Sequence, residues 1–202
     1  MKITLALALL LLLASTASAR HEMVTAGQYI VSFDMNTADD YSIKAAGPVG
    51  SEHDSSPIDY TISITGENRS ALVSISPEGQ GTDISAIAEK EAVQKAFDLF
   101  QAKNGAQFSN LTIDGQDAAL GVGTYFENTP IFIAVYHKSI RPLNVLLKVM
   151  ITSSYPWDEG TEGLLESLKV NYYPLEHQAQ ATQLVQQHRD EEREVMKQII
   201  VL

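Results

Sequence analysis

YTISITGENRSALVSIS, running from Tyr60 to Ser76, is the stretch whose reading decides the fold. Tyr60, Ile62 and Ile64 alternate with Thr61, Ser63 and Thr65. Period-two alternation of this kind makes a strand with one dry face and one wet face. Ala71, Val73 and Ile75 repeat the pattern after Gly66, Glu67 and Asn68, which have turn chemistry. The two runs therefore form a hairpin. Pro77 to Thr82 breaks the alternation, and the period then changes. Ile84, Ile87, Ala92, Val93, Ala96, Phe97 and Phe100 form an apolar stripe at helical spacing, which predicts a helix over 83–103. Thr82 or Asp83 is its N-cap, and Asn104 and Gly105 stop it. Glu91 and Lys95 make an i,i+4 pair on its wet face.

Outward from there the chain is mostly strand. Gln28 to Met35 reads as the first strand, with Tyr29, Val31, Phe33 and Met35 on one face and Ile30 as the exception. Asn36 to Pro57 loses periodicity and holds Gly47, Pro48, Gly50 and Pro57, so it reads as a long loop. Phe108 to Ile113 is a strand ending at the turn signal Asp114-Gly115. Ala118 to Phe126, Pro130 to His137 and Val145 to Ser153 follow as further β-rich runs. Pro156 ends the last of them. Trp157 to Val170 reads as a second helix, with Leu164, Leu165 and Leu168 facing inward. Leu175 to Leu202 has no Gly or Pro, and its Gln, Glu, Arg and Ala content favours an appended helix.

The N-terminus carries an address. Lys2 is followed by the apolar run Ile3 to Ala14 and the small-residue site at Ala17, Ser18 and Ala19, the pattern of a secretory signal peptide. The organisation expected is a signal peptide over 1–19, a short linker over 20–27, an α+β domain over 28–173 and a C-terminal helix over 174–202. The destination is secreted or extracytoplasmic. An uncleaved Ile3 to Ala14 segment is the alternative, and it gives the only expected contact with a membrane.

Composition removes several classes of function. The chain has no Cys, which excludes thiol catalysis, thiolate metal sites and a lipid anchor on cysteine. It carries 14 Lys and Arg against 25 Asp and Glu, a net charge of −11, and loses Lys2 with the leader. Such an acidic surface repels nucleic acid and suits a basic partner or cations.

No motif with chemistry survives scrutiny. Gly79-Gln80-Gly81 lies between strand and helix as a dinucleotide loop would, but Ile84 stands at the third glycine position. Asn110 to Gly115 mimics half a calcium loop, but Gly121 stands where a bidentate Glu is required. His21, His53, His137, His177 and His188 form no close pair. His188 with Glu192, and Glu52-His53-Asp54, read as solvated groups. His137, Lys138 and Arg141 form the one local basic cluster, placed in a hairpin connection. Tyr125, Phe126, Phe132, Tyr136, Tyr155 and Trp157 read as packing more than as a pocket. Asn68 and Asn110 head N-glycosylation sequons, Asn68 at a hairpin tip and Asn110 within a strand. No catalytic, cofactor-binding or metal-ligating residue is assigned.

The element order, with TIDGQD (Thr112 to Asp117) at the turn, resembles the PsbP/Mog1-like α/β/α sandwich. GQYIVSFDMNT (Gly27 to Thr37), SSYPW (Ser153 to Trp157) and GLLESL (Gly163 to Leu168) resemble segments of uncharacterised exported proteins of methanogenic archaea. That resemblance implies a bent antiparallel sheet flanked by two helices. It implies binding and scaffolding more than catalysis, and it assigns no functional residue. The expectation is an exported, non-catalytic binding or assembly domain of the cell envelope, without a cofactor. Its partner would be an unknown protein, with residues 175–202 as the contact. The alternatives are a metal-assisted envelope hydrolase and an acidic, cation-binding surface protein.

Overall fold

The computed structural model describes residues 20–37, 39–49, 59–67, 70–80, 86–99, 103–125, 129–140, 145–153 and 159–200. Met1 to Ala19, the expected signal peptide, lies outside them. So does Asn68.

The hairpin over 60–76 is present as β4 (Asp59–Gly66) and β5 (Ser70–Gln80), with Ile62 opposite Val73 and Ile64 opposite Ala71. They belong to a seven-stranded antiparallel sheet ordered β3-β4-β5-β9-β8-β7-β6. Its other strands are β3 (Tyr41–Val49), β6 (Lys103–Ile113), β7 (Gln116–Tyr125), β8 (Thr129–Ile140) and β9 (Val145–Ser153). Two meanders meet where β5 pairs with β9. Helix α1 (Ala86–Leu99) connects β5 to the far edge strand β6. Four strand spacings separate those strands, about 19 Å at ~4.8 Å each. Fourteen helical residues reach about 21 Å, so one helix suffices for the crossover.

A smaller antiparallel sheet, β1-β2-β10, is built from β1 (Arg20–Ala26), β2 (Tyr29–Met35) and β10 (Lys169–Tyr172). Helix α2 (Glu159–Ser167) packs on β2, and α3 (Gln178–Ile200) packs on β1 after a 3-10 turn over Leu175–His177. The fold is therefore α+β and strand-rich.

Two cores result. Val31, Phe33, Ile62, Ile75, Phe132, Tyr136, Ile151, Leu164 and Leu168 fill the space between the sheets and α2. Val93, Ala96 and Phe97 of α1 close on Ala119, Ile131, Ile133 and Val135. Gly121 permits that approach, because a Cβ there would lie 2.6 Å from both Phe97 and Val93. Strand β8 is covered on both faces, which is why Ile131 to Tyr136 is an unbroken apolar run.

Several expectations need correction. The single bent sheet is two sheets. The 20–27 linker is strand β1 and its turn, where Gly27 has φ 59°. The expected loop over 36–57 contains β3, which tolerates Gly47 and Pro48 because it is an edge strand. A break is expected over Pro77 to Thr82, but β5 runs on through Pro77 to Gln80 with a register shift. Helix α1 ends at Leu99, and Lys103 to Gly105 already belong to β6. The second helix ends at Ser167, and Lys169 begins β10, which pairs with the central strand β2 on the side opposite β1. Ile30, the exception in the first strand, is buried on the side where the sheet meets α3.

Among the described residues, helix α3 docks through Val185, which is buried, and through His188, whose Nε2 donates to the carbonyl of His21 at 2.8 Å. A terminal helix docked on the surface of a domain is among the parts that open locally. Val185→Asp is expected to release α3 and speed limited proteolysis near Pro174 by roughly tenfold, about 1.4 kcal/mol. Unchanged cleavage would show that the helix is held elsewhere.

Candidate functional site

Among the described residues, a group of ionisable side chains gathers on the sheet face beneath α1. His137 of β8 stands opposite Lys148 of β9 in the ladder, and Lys148 stands opposite Ser76 of β5. That register brings Glu78 alongside. Lys148 Nζ donates to Glu78 Oε1 at 2.5 Å, and His137 Nε2 faces Glu78 Oε2 at 3.4 Å. The first turn of α1 adds Glu89, whose Oε1 is 3.6 Å from His137 Nδ1. The His137 and Glu89 side chains are each only 7% exposed.

At 3.6 Å the His137 Nδ1 contact is too long for a hydrogen bond, and among the described residues that nitrogen has no hydrogen-bond partner. Burial pushes the Glu89 carboxyl above its ordinary range, against the lowering effect of His137, and Asp117 adds a smaller upward push. The arrangement sets Glu89 of α1 over side chains from three strands. Among the described residues, no group of three His, Cys, Asp or Glu is placed to hold a metal ion.

The sign of the Glu89 shift fixes a pH dependence. A carboxyl whose folded pKa is raised binds its proton more tightly in the folded state. Its contribution is therefore full below the unfolded pKa and is lost as pH rises through the folded one. Glu89→Gln is expected to flatten the stability profile in the window above the ordinary value of 4.5. Denaturant melts at successive pH values check this, and an unchanged slope would rule it out.

Two other clusters are structural. Asp114 Oδ2 accepts from Lys138 Nζ at 2.6 Å and from the Val170 N–H at 3.0 Å. His21 Nδ1 contacts Asp34 Oδ1 at 2.6 Å across the β1–β2 ladder, and its ring meets that of His188 edge-on at 5.1 Å. A cavity of about 210 Å³ lies between the β1–β2 turn and α3, lined by Thr25, Gln28, Ile30, Tyr173 and Thr182 among others.

The structure divides the basic cluster expected from sequence. His137 and Lys138 are consecutive strand residues, so they point to opposite faces, one to Glu78 and Glu89, the other to Asp114. Arg141 lies outside the described residues. Phe132 and Tyr136 are core, whereas Phe126, Tyr155 and Trp157 are not among the described residues. Gly79 and Gln80 end β5, and Gly81 lies outside the described residues. His53 and its acidic neighbours lie outside them too. Asn110 is exposed on β6. Sequence reasoning missed Glu78, Glu89 and Lys148, which meet His137 only once β5, β9 and β8 are in register and α1 lies across them. Glu89 carried one signal, an acid in the first turn of a helix.

No protein-family model, curated protein or solved structure matches this chain.

Proposed function

We propose that the chain is an exported, non-catalytic binding or assembly domain of the cell envelope, with a PsbP/Mog1-like arrangement of helices on a central sheet. The observation that carries this reading is the β6 edge of the large sheet. Among the described strands, β6 has a neighbour on one side only, and no residue from Asn104 to Ile113 is charged or Pro. Gln107 to Asn110 are exposed along it, Phe108 at 40%. Val122 on β7 and Leu99 at the end of α1 add exposed apolar surface, at 42% and 84%. An edge strand whose residues carry neither charge nor Pro is a template for strand addition.

Export rests on the Met1 to Ala19 sequence pattern, with membrane contact only through an uncleaved Ile3 to Ala14. No helix among the described residues is long and apolar enough to cross a membrane. Within residues 175–202, Val185 and His188 serve docking on the chain's own small sheet. The apolar residues Val195, Met196, Ile199 and Ile200 are the proposed second contact.

A photo-crosslinking residue placed at Ser109, in the chain expressed in its host, tests the reading. Discrete adducts from Ser109, and none from Lys44 on the opposite edge, are expected. Equal or absent adducts at the two positions would overturn it.

A further inference from the structure

We propose that α1 is a pH-gated cover on the large sheet, held at its first turn by a proton between Glu89 and His137 and lifted from β7 and β8 when that proton leaves. The device is independent of any strand added at β6.

Two apolar rows meet where α1 packs on β7 and β8, and each ends in an ionisable residue. On the helix, Val93, Ala96 and Phe97 are buried at helical spacing. Glu89 lies one turn before Val93 on the same face and is 5% exposed. On β8, Ile131, Ile133 and Val135 point to the helix, and His137 is the next residue of that row. An acid and an imidazole thus face each other where an apolar contact would otherwise continue. The other charged residues of the helix, Lys90, Glu91, Lys95 and Asp98, are exposed.

The ring of His137 decides which form of Glu89 fits. Lys148 engages Glu78 Oε1, and the second oxygen, Oε2, faces His137 Nε2 at 3.4 Å. A carboxylate only accepts, so it draws the ring proton to Nε2. Nδ1 is then an acceptor, and among the described residues it has no partner. It lies 3.6 Å from Glu89 Oε1. A protonated Glu89 can donate its O–H to Nδ1 after a small side-chain rotation, whereas an ionised Glu89 meets a lone pair.

The surroundings favour the same form. Among the described residues, the charged groups facing Glu89 from the strands are Asp117 of β7, His137 of β8, Lys148 of β9 and Glu78 of β5. The one permanent cation is already engaged by Glu78. Burial opposes ionisation most, His137 favours it through its ring and backbone N–H, and Asp117 opposes it. Rising pH therefore loosens the seat of α1. The surface beneath is apolar: Ala119, Ile131, Ile133 and Val135. The core that holds Phe132 and Tyr136 lies on the other face of β8 and keeps its own closure.

The chain has no Cys, so single cysteines report the opening. Three full-length variants are labelled with a neutral thiol reagent: Ala96→Cys on the buried face of α1, Leu99→Cys at its exposed end, and Val73→Cys in the core between the sheets. Dividing each rate by that of Leu99→Cys at the same pH removes the ionisation of the thiol itself. Between about pH 5 and pH 9 the Ala96→Cys ratio is expected to rise roughly tenfold or more, while the Val73→Cys ratio stays flat. Adding Glu89→Gln, which keeps the neutral form at every pH, is expected to abolish the rise. Asp117→Asn, a change at an exposed residue, is expected to reduce it, and it decides the matter should Glu89→Gln not fold. A flat Ala96→Cys ratio overturns the proposal, as does an equal rise at Val73→Cys, which would mean global unfolding. A rise that survives Glu89→Gln, or in its place Asp117→Asn, overturns it too.

Discussion

Asp114→Ala is expected to destabilise the fold by about 3–5 kcal/mol, the cost of breaking a buried ion pair by removing one partner. In a domain of this size that lowers Tm by roughly 6–20 °C. The reason lies in what Asp114 joins. It sits in the β6–β7 turn, accepts from Lys138 of β8, and accepts from the Val170 N–H of β10. Lys138 Nζ also donates to the Val170 carbonyl at 2.7 Å. One carboxylate and one ammonium thus close the large sheet onto the last strand of the small one. Both are mostly buried, and Tyr136 beside them is held well above the usual phenol range, by burial first and by Asp114 second.

Removing Asp114 leaves a buried ammonium and an unpaired N–H. Asp114 also has a left-handed backbone, so Ala adds about 1 kcal/mol of conformational strain. Asp114→Asn separates the two effects, since Asn tolerates that conformation and keeps an acceptor. Its loss is expected to be smaller but still large, because Lys138 remains charged. Adding Lys138→Met to Asp114→Asn is expected to recover most of the stability, as replacing both members of a buried pair often does. A double variant as unstable as Asp114→Ala would show that the pair itself is not the cause.

Asp114 shows what could be read in the chain and what could not. Asp-Gly between two alternating runs announces a hairpin, and the hairpin is there. That the same carboxylate reaches across to Val170 depends on β10, and β10 was hidden. Lys169 to Tyr172 continues an apolar pattern that fits a helix end as well as a strand, because a short run does not define its period. Strand β1 was hidden for a different reason. The turn between Ala26 and Tyr29 has Gly first, a primed hairpin signal, but only seven residues separate it from the expected cleavage site. Strand β3 was masked by Gly47 and Pro48, which read as loop unless the strand is known to lie at an edge. Topology decides that, and periodicity carries no topology. The His137 cluster was illegible for the same cause: its members converge only once β5, β9 and β8 are in register. By contrast, the helix over Ala86–Leu99 and the 60–76 hairpin were plain, since each is long and keeps one period throughout.

Gly27→Ala is expected to cost about 2–5 kcal/mol, from two sources that can be measured apart. Gly27 has φ 59°, where a side-chain-bearing residue loses about 1–2 kcal/mol. A Cβ there would also lie 1.9 Å from Tyr60 Cε1, and overpacking of this kind costs about 1–3 kcal/mol. Tyr60 belongs to β4, so the clash is between the turn of the small sheet and the face of the large one. Gly47 of β3 stands on the same ring, 2.5 Å from Cδ1 once a Cβ is added, with no positive φ. Gly47→Ala is therefore expected to show the steric part alone. Adding Tyr60→Ala should relieve both variants, giving a coupling of about 1–3 kcal/mol with each glycine change.

Tyr29 gives a second readout. Its ring meets Tyr60 at 5.3 Å and Tyr172 at 6.0 Å. Burial first, then Tyr60 and Tyr172, hold its hydroxyl up at about 12. If Gly27→Ala forces Tyr60 aside, Tyr29 is uncovered and its pKa falls toward the ordinary 10.0. Ultraviolet titration of the phenolate would show one more tyrosine ionising in the lower range. Gly27→Ala that leaves both stability and the tyrosine titration unchanged would mean that Tyr60 does not fasten the two sheets together. Loss of stability with an unaltered titration would assign the whole cost to the backbone of the turn.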